Sequence, residues 1–271
     1  MSFQLCLNAS TIRPTGLEEK IRIAAEAGYQ GIELWHREIE EYVERGGRLR
    51  VLKRLIVDSG LRVPSTINLK GWFEAESEGD PVWGVCRRRM EDAAELGAEF
   101  IVAGPPQERG CLERGAENYG RLLRMGREMG VRPAMEFLGF VAGINTIERA
   151  REVVRGCGEE GGTIVMDPFH VFRGGGEFGE VARLEAGEIA VCHFNDATFE
   201  IDRELQTDGD RVMPGEGELP LVEMLRDLIR IGYSKWLSLE LFSRGLWERD
   251  AEEVAGEGLA RMRELIKKME D

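Results

Sequence analysis

Thr163-Ile164-Val165-Met166-Asp167 is a short apolar run that ends on a carboxylate, and such a run indicates a buried β-strand. A helix is predicted before it, because Asn145-Thr146-Ile147-Glu148 places a capping residue ahead of an acidic first turn. The same alternation of a short strand with a longer amphipathic stretch occurs eight times along the chain. The predicted strands are residues 3–8, 31–35, 62–67, 100–103, 132–137, 163–167, 189–194 and 236–241.

Eight strand-then-helix units predict an α/β fold, a single-domain (β/α)₈ TIM barrel over residues 1–271. Parallel strands need crossover connections, and helices supply them. Glycines mark the predicted helix ends, at Gly28, Gly60, Gly97, Gly130 and Gly232. The alternative, an open doubly wound sheet, usually carries a glycine-rich phosphate loop after its first strand. Here that turn reads Asn8-Ala9-Ser10-Thr11-Ile12, so the barrel is favoured.

The amino-acid composition, above all the net negative charge, argues against some classes of binding partner. The 271 residues include 36 Lys and Arg against 50 Asp and Glu, a net charge of −14. Nucleic acid and anionic membranes both attract positive surfaces, so neither is expected as a partner. No apolar run approaches the roughly 18 residues of a membrane span. The five cysteines are scattered without a CxxC pair, and Met1–Cys6 lacks the features of a signal peptide, so we expect a cytoplasmic protein.

Four consecutive predicted strands, the fifth to the eighth, each carry an ionisable residue in an otherwise apolar run. These residues are Glu136, Asp167, His193 and Glu240. The carboxyl ends of barrel strands meet at one mouth, where the chemistry of this fold lies. Burying an isolated charge there costs several kcal/mol unless it is paired or binds a cation. Three carboxylates and an imidazole therefore predict a site for one divalent metal ion (Mn, Mg, Co or Zn).

Other residues near the predicted mouth are candidates for substrate binding. His170 follows Asp167 by three residues and can turn back over the site. His36 and Trp35 lie at the end of the second strand and can form the opposite wall. Arg211 lies in a Gly-, Pro- and Asp-rich segment after the seventh strand that fits an ordered loop over the mouth.

At these residues the sequence resembles the xylose-isomerase-like barrel superfamily of sugar isomerases and epimerases, and within it the inosose (2-keto-myo-inositol) isomerase family. The resemblance covers nearly the whole chain. It is carried by Glu136, by Asp167-Pro168-Phe169-His170, by His193, by the segment from Arg211 to Gly217 and by Glu240. It implies that Glu136, Asp167, His193 and Glu240 ligate the metal and that His170 and Arg211 touch the substrate or order the site. Trp35, His36 and Asn68 occupy substrate-wall positions and differ from what the inosose isomerases would lead us to expect.

The chemistry implied is proton transfer next to a ketone, through an enediolate, with Glu136 and Glu240 as the acid and base. We therefore expect a divalent-metal-dependent isomerase or epimerase of a small keto-sugar or keto-inositol. The alternative enzyme is a metal-dependent dehydratase of a cyclic polyol ketone such as inosose or dehydroshikimate. A carbohydrate-binding barrel without activity is the non-enzymatic alternative. The sequence is compatible with a homo-oligomer and does not require one.

Overall fold

Eight parallel strands close into a barrel in a computed structural model that describes residues 3–271. The strand order follows the sequence, and the first strand pairs with the eighth. The predicted (β/α)₈ barrel is therefore confirmed. The expectation that Met1–Cys6 is not a signal peptide rests partly on Met1 and Ser2, and these two residues lie outside the described part of the chain. The strands are β1 (Gln4–Asn8), β2 (Gly31–Trp35), β3 (Ser65–Leu69), β4 (Phe100–Ala103), β5 (Arg132–Met135), β6 (Thr163–Met166), β7 (Ile189–Phe194) and β8 (Trp236–Leu239).

Helices connect the strands and cover the outside of the barrel, and Thr146 caps the sixth helix as predicted. All five predicted stop glycines have positive φ, the left-handed conformation in which glycine ends a helix without strain. The helices are α1 (Leu17–Ala27), α2 (His36–Glu44), α3 (Leu49–Asp58), α4 (Val82–Leu96), α5 (Leu112–Met129), α6 (Ile147–Gly156), α7 (Pro168–Gly174), α8 (Leu221–Arg230), α9 (Arg244–Trp247) and α10 (Ala251–Glu270). Among the described residues, no helix is long and apolar enough to cross a membrane.

Several strand ends differ from the prediction. β3 begins at Ser65 rather than at residue 62, because Pro64 has no N–H to donate to a neighbouring strand. β5, β6 and β8 each end one or two residues earlier than predicted. As a result, Glu136, Asp167 and Glu240 are the first residues after their strands, where the backbone leaves the barrel and the side chain faces its mouth.

The barrel interior is filled by side chains from alternate strand positions. Its lower part is apolar, and Phe100, Val102, Val165 and Trp236 belong to one buried cluster there. Gly31 makes room for this packing, since a Cβ atom on it would lie 2.7 Å from the Trp236 ring. Above this apolar floor the inward-facing residues become polar, which places the functional site at the carboxyl ends of the strands.

Candidate metal centre

The four predicted ligands meet at the mouth of the barrel. Asp167, His193 and Glu240 each present a ligand atom, and these atoms lie within 4.8 Å of one another. The Glu136 Oε1 atom lies 3.7 Å from His193 Nδ1. Glu136 retains 7% exposure, and the other three residues are more deeply buried. The topology therefore gathers side chains that are separated by up to 104 residues in sequence into one cluster.

The donor set fits a divalent metal ion. Within residues 3–271, neither ring nitrogen of His193 has a hydrogen-bond partner, although the ring is fully buried. A buried imidazole without a partner is costly unless something else satisfies it. The three surrounding carboxylates provide the hard oxygen donors that such an ion needs beside an imidazole nitrogen.

The electrostatic environment gives the two catalytic candidates, Glu136 and Glu240, different pKa values. Burial, helped by the charges of Glu240 and Asp167, raises the pKa of Glu136 to about 8 against the opposing effects of His193 and Arg211. Burial alone would also raise the pKa of Glu240, but His193 and Arg211 beside it lower that pKa to about 2. Two carboxyl groups whose pKa values are pushed apart are typical of acid and base roles in one site.

Arg211 and His170 complete the polar layer. The Arg211 guanidinium is buried, with Nη1 2.6 Å from Glu240 Oε2 and 3.2 Å from Asp167 Oδ2. Its Nη2 atom donates to Asp208 Oδ1 at 2.7 Å and lies 2.9 Å from His170 Nε2. Burial lowers the pKa of His170 to about 3, and the charge of Arg211 acts in the same direction. His170 is therefore a neutral imidazole at physiological pH.

The loop after β7 holds Arg211 in this position. Asp196 is buried, and its carboxylate accepts the backbone N–H groups of Gly215, Gly217 and Leu219 at 2.9, 3.1 and 3.1 Å. An antiparallel bridge also joins Asp196 to the residue after Arg211. The predicted ordered loop thus exists, but it sends its arginine down into the barrel rather than only covering the mouth.

A cavity of about 470 Å³ opens above the cluster. Trp35 and Asn68 line it, as predicted for substrate-wall residues, together with Glu136, Glu240, His170 and Arg211. The remaining lining residues are Lys70, Gly71, Phe73, Glu74, Gly104, Pro105, Pro106, Gln107, Leu138, Phe140, Asp208 and Phe242. The volume suits a small polar molecule.

His36 does not line this cavity. It is the first residue of α2 and is fully buried, with its Nε2 atom 3.0 Å from Thr66 Oγ1. Trp35, the residue before it, occupies the wall instead, because successive residues at the strand end point to opposite sides. The expectation that His36 contacts the substrate is not supported by this placement.

Two buried polar residues on β1 and β2 contact the cluster and are not among the predicted site residues. Glu33 is fully buried within β2, and its Oε2 atom lies 3.4 Å from His193 Nε2. Asn8 is the last residue of β1 and donates to both Glu33 and Glu240 at 3.1 Å. Glu33 shows the same sequence pattern as the predicted ligands, an acidic residue inside an apolar strand. The pattern in Gly31-Ile32-Glu33-Leu34-Trp35 could therefore have identified it.

Comparison with known proteins agrees with this geometry. The chain is 28% identical over 262 residues to an inosose isomerase of Halalkalibacterium halodurans, covering 93% of this chain and 92% of that one. It is 25% identical to a 3-dehydroshikimate dehydratase of Pseudomonas aeruginosa, across 90% of this chain but 39% of that protein. A crystal structure of the IolI protein with a zinc atom superposes with a TM-score of 0.90 at 24% identity, covering 98% of this chain and 99% of that one. The family model described as xylose isomerase-like TIM barrel matches residues 21–265, and the chain belongs to that family.

Proposed function

We propose that this protein is a divalent-metal-dependent isomerase or epimerase of a small keto-polyol, with a keto-inositol as the first candidate substrate. The inosose isomerase relatives, which align along nearly the whole chain, support the substrate class. Glu136, Asp167, His193 and Glu240 would hold the metal. When bound, a divalent cation supplies positive charge beside a ketone oxygen, which makes the proton on the neighbouring carbon easier to remove.

The different environments of the two glutamates support proton transfer. Both oxygens of Glu240 have partners, since Oε1 accepts from Asn8 at 3.1 Å and Oε2 from Arg211 at 2.6 Å. Glu136 faces the cavity, and no hydrogen bond to its carboxylate occurs among the described residues. A carboxylate that is free to change partner can accept a proton from one carbon and return it to the next. We assign the exchange of the substrate proton to Glu136 and Glu240, and the free carboxylate of Glu136 is the observation that carries this proposal.

The surrounding residues would orient the substrate. Arg211 and the neutral His170 present nitrogen atoms at the floor of the cavity, where hydroxyl groups of a polyol can be bound. Trp35 and Phe242 meet edge to face, with ring centroids 5.8 Å apart, and form an apolar wall. Such a wall limits the access of water to the reacting carbon.

A dehydratase is the second candidate, favoured by the likeness to the 3-dehydroshikimate dehydratase of Pseudomonas aeruginosa. It would remove the same proton and then expel a hydroxyl group from the next carbon. The product would be a conjugated enone, which absorbs in the ultraviolet. An isomerase or epimerase forms no such chromophore.

The test is exchange of the α-proton with solvent. Protein loaded with Mn²⁺ is incubated with 2-keto-myo-inositol or D-fructose in D₂O, the metal is removed, and proton NMR is recorded. We expect loss of the α-proton signal and a new ketone isomer. Glu136→Gln and Glu240→Gln should each lower the rate by about 10²-fold or more. Glu99→Gln, which alters an exposed carboxylate paired with Arg132 before β4, is the matched control and should leave the rate unchanged.

Each result has a distinct meaning. Exchange without a new product would support the proton chemistry with a different substrate. An enone absorbance would establish the dehydratase. No exchange with either compound, or unchanged rates in both glutamine variants, would contradict the assigned roles.

We also infer a reducing compartment such as the cytoplasm. Cys6, Cys86, Cys157 and Cys192 are buried free thiols, and Cys111 is an exposed one, so no disulfide forms among the described residues. The ligand cluster and the cavity come from one chain. The acidic net charge of −14 gives no reason to expect nucleic acid as a partner.

A further inference from the structure

A fourth carboxylate, that of Glu33, lies next to the centre. Glu33 is fully buried in β2, and its Oε2 atom lies 3.4 Å from Nε2 of His193. The three other carboxylates approach the opposite ring nitrogen, with oxygen atoms 3.1 to 3.9 Å from Nδ1 of His193. Glu33 therefore lies on the far edge of the imidazole, and it cannot share a metal ion with groups gathered around Nδ1.

Glu33 is held firmly in this position. The hydroxyl of Ser65 donates to its Oε1 atom, and Asn8 Nδ2 donates to Oε2 at 3.1 Å. Asn8 also donates to Glu240 Oε1 at 3.1 Å, and its own Oδ1 accepts from Trp35 Nε1 at 2.9 Å. The Asn8 side-chain amide thus hydrogen-bonds to Glu33, to the predicted metal ligand Glu240 and to Trp35 of the cavity wall. A carboxylate anchored at both oxygens is a fixed acceptor.

A metal ion can use only the ring nitrogen of histidine that carries no proton, and the other nitrogen must then donate its N–H. In this centre Nδ1 faces the other ligands, so the N–H belongs on Nε2, and Glu33 is the acceptor in front of it. We propose that Glu33 is a positioning residue that accepts the Nε2–H of His193 and so presents the Nδ1 lone pair to the metal. The inference rests on the proposed metal centre.

The first test measures Co²⁺ affinity by competition with a chelator. Glu33→Ala removes the acceptor and should weaken binding about 10- to 100-fold, the usual effect of losing such a partner. Glu33→Gln keeps an acceptor oxygen without the charge and should recover part of the loss. Glu99→Gln, at the opposite end of the barrel, is the control and should bind Co²⁺ as the wild type does.

The second readout follows the proton itself. In the Co²⁺-loaded wild type, we expect one strongly shifted proton resonance from the ligand histidine, seen in H₂O and lost in D₂O. In Glu33→Gln this resonance should move, and it should exchange faster with solvent. A purely structural role for Glu33 would change stability without moving the resonance.

The outcomes separate the two proposals. If wild-type protein binds no Co²⁺, the metal centre itself is wrong, and this inference falls with it. If the wild type binds Co²⁺ and both Glu33 variants match its affinity and resonance, the metal centre stands and the role of Glu33 is overturned. If Glu33→Ala fails to fold, the isosteric Glu33→Gln decides by the same two measurements.

Discussion

Among single residues, the three histidines show how neighbouring groups determine the pKa of the same side chain. All three are buried. For His36 and His170, burial lowers the pKa to about 3. For His193, burial acts in the same direction, but the charges of Glu240 and Glu33 outweigh it and raise the pKa well above its usual range. The sequence lists three equivalent imidazoles, and only the fold distinguishes them.

The pKa of His36 predicts a pH-dependent stability. Burial, and secondarily the charge of Arg89, keeps the folded-state pKa at about 3, whereas an unfolded histidine titrates near about 6.5. The stabilising effect is fully present above the unfolded pKa and is lost as the pH falls towards the folded one. Between pH 7 and pH 5 the wild type should therefore lose about 2 kcal/mol more unfolding free energy than His36→Gln.

Urea unfolding of both proteins at each pH measures this difference. The same comparison between pH 8 and pH 7 is the control, because His36 is neutral in the folded state and mostly neutral in the unfolded state there, so the two proteins should differ little. Equal losses in the two proteins between pH 7 and pH 5 would show that His36 becomes protonated in the folded state.

Among the structural elements, the loop after β7 positions a side chain of the site. Asp196 fixes its backbone, and the loop in turn presents Arg211 to Glu240 and Asp167. The arginine is thus placed by an acid 15 residues earlier in the chain. Nothing in the local pattern around Arg211 identifies this partner.

Asp196→Asn should loosen that loop. An amide has one acceptor oxygen, so its NH₂ group must face backbone N–H groups that the carboxylate now accepts. Unsatisfied donors of this kind cost about 1–3 kcal/mol. We expect faster hydrogen exchange in residues 211–219 and a lower kcat with the barrel intact. Asp202→Asn, an exposed change in the same connection, is the control. Unchanged exchange and unchanged kcat would remove Asp196 from this role.

The strands show what sequence patterns predict well. β2, β4 and β7 begin and end where predicted, since apolar runs bounded by polar residues define them. The start of β3 was missed because Pro64 interrupts an otherwise convincing run. The four ligand candidates were predictable as charges in apolar strands. The placements of His36 and Asn8 were not, because they depend on the local direction of the backbone at the strand end.

At the scale of the whole molecule, closure of the barrel couples the ligand cluster to stability. The ligands come from four strands, and unfolding would separate them. A metal that binds only the folded chain therefore stabilises it, by about 2.7 kcal/mol at a free concentration 100 times its Kd. Mn²⁺ is preferable to Zn²⁺ for this measurement, because the five cysteines of the unfolded chain would bind zinc.

We expect Mn²⁺ to raise the midpoint of denaturant unfolding and excess chelator to reverse the shift. His193→Asn lacks one ligand and should respond much less. If neither Mn²⁺ nor chelator changes the unfolding midpoint of the wild type, the proposed metal centre is contradicted.

The fold itself was predictable from eight repeats of one pattern. The cavity wall was predictable only in part, because loops distant in sequence build it together.

The mouth of the barrel is divided between two halves of the chain. The predicted ligands, His170 and Arg211 all follow residue 135, whereas Trp35, Asn68, Lys70 and the 104–107 segment precede it. The predicted ligands are thus encoded in the second half of the gene, whereas the first half supplies one side of the cavity wall. Mutations that accumulate in the first half can change which polyol is accepted while the proton-transfer residues stay untouched. This arrangement gives a lineage of such barrels a simple way to acquire new substrates without inventing new chemistry.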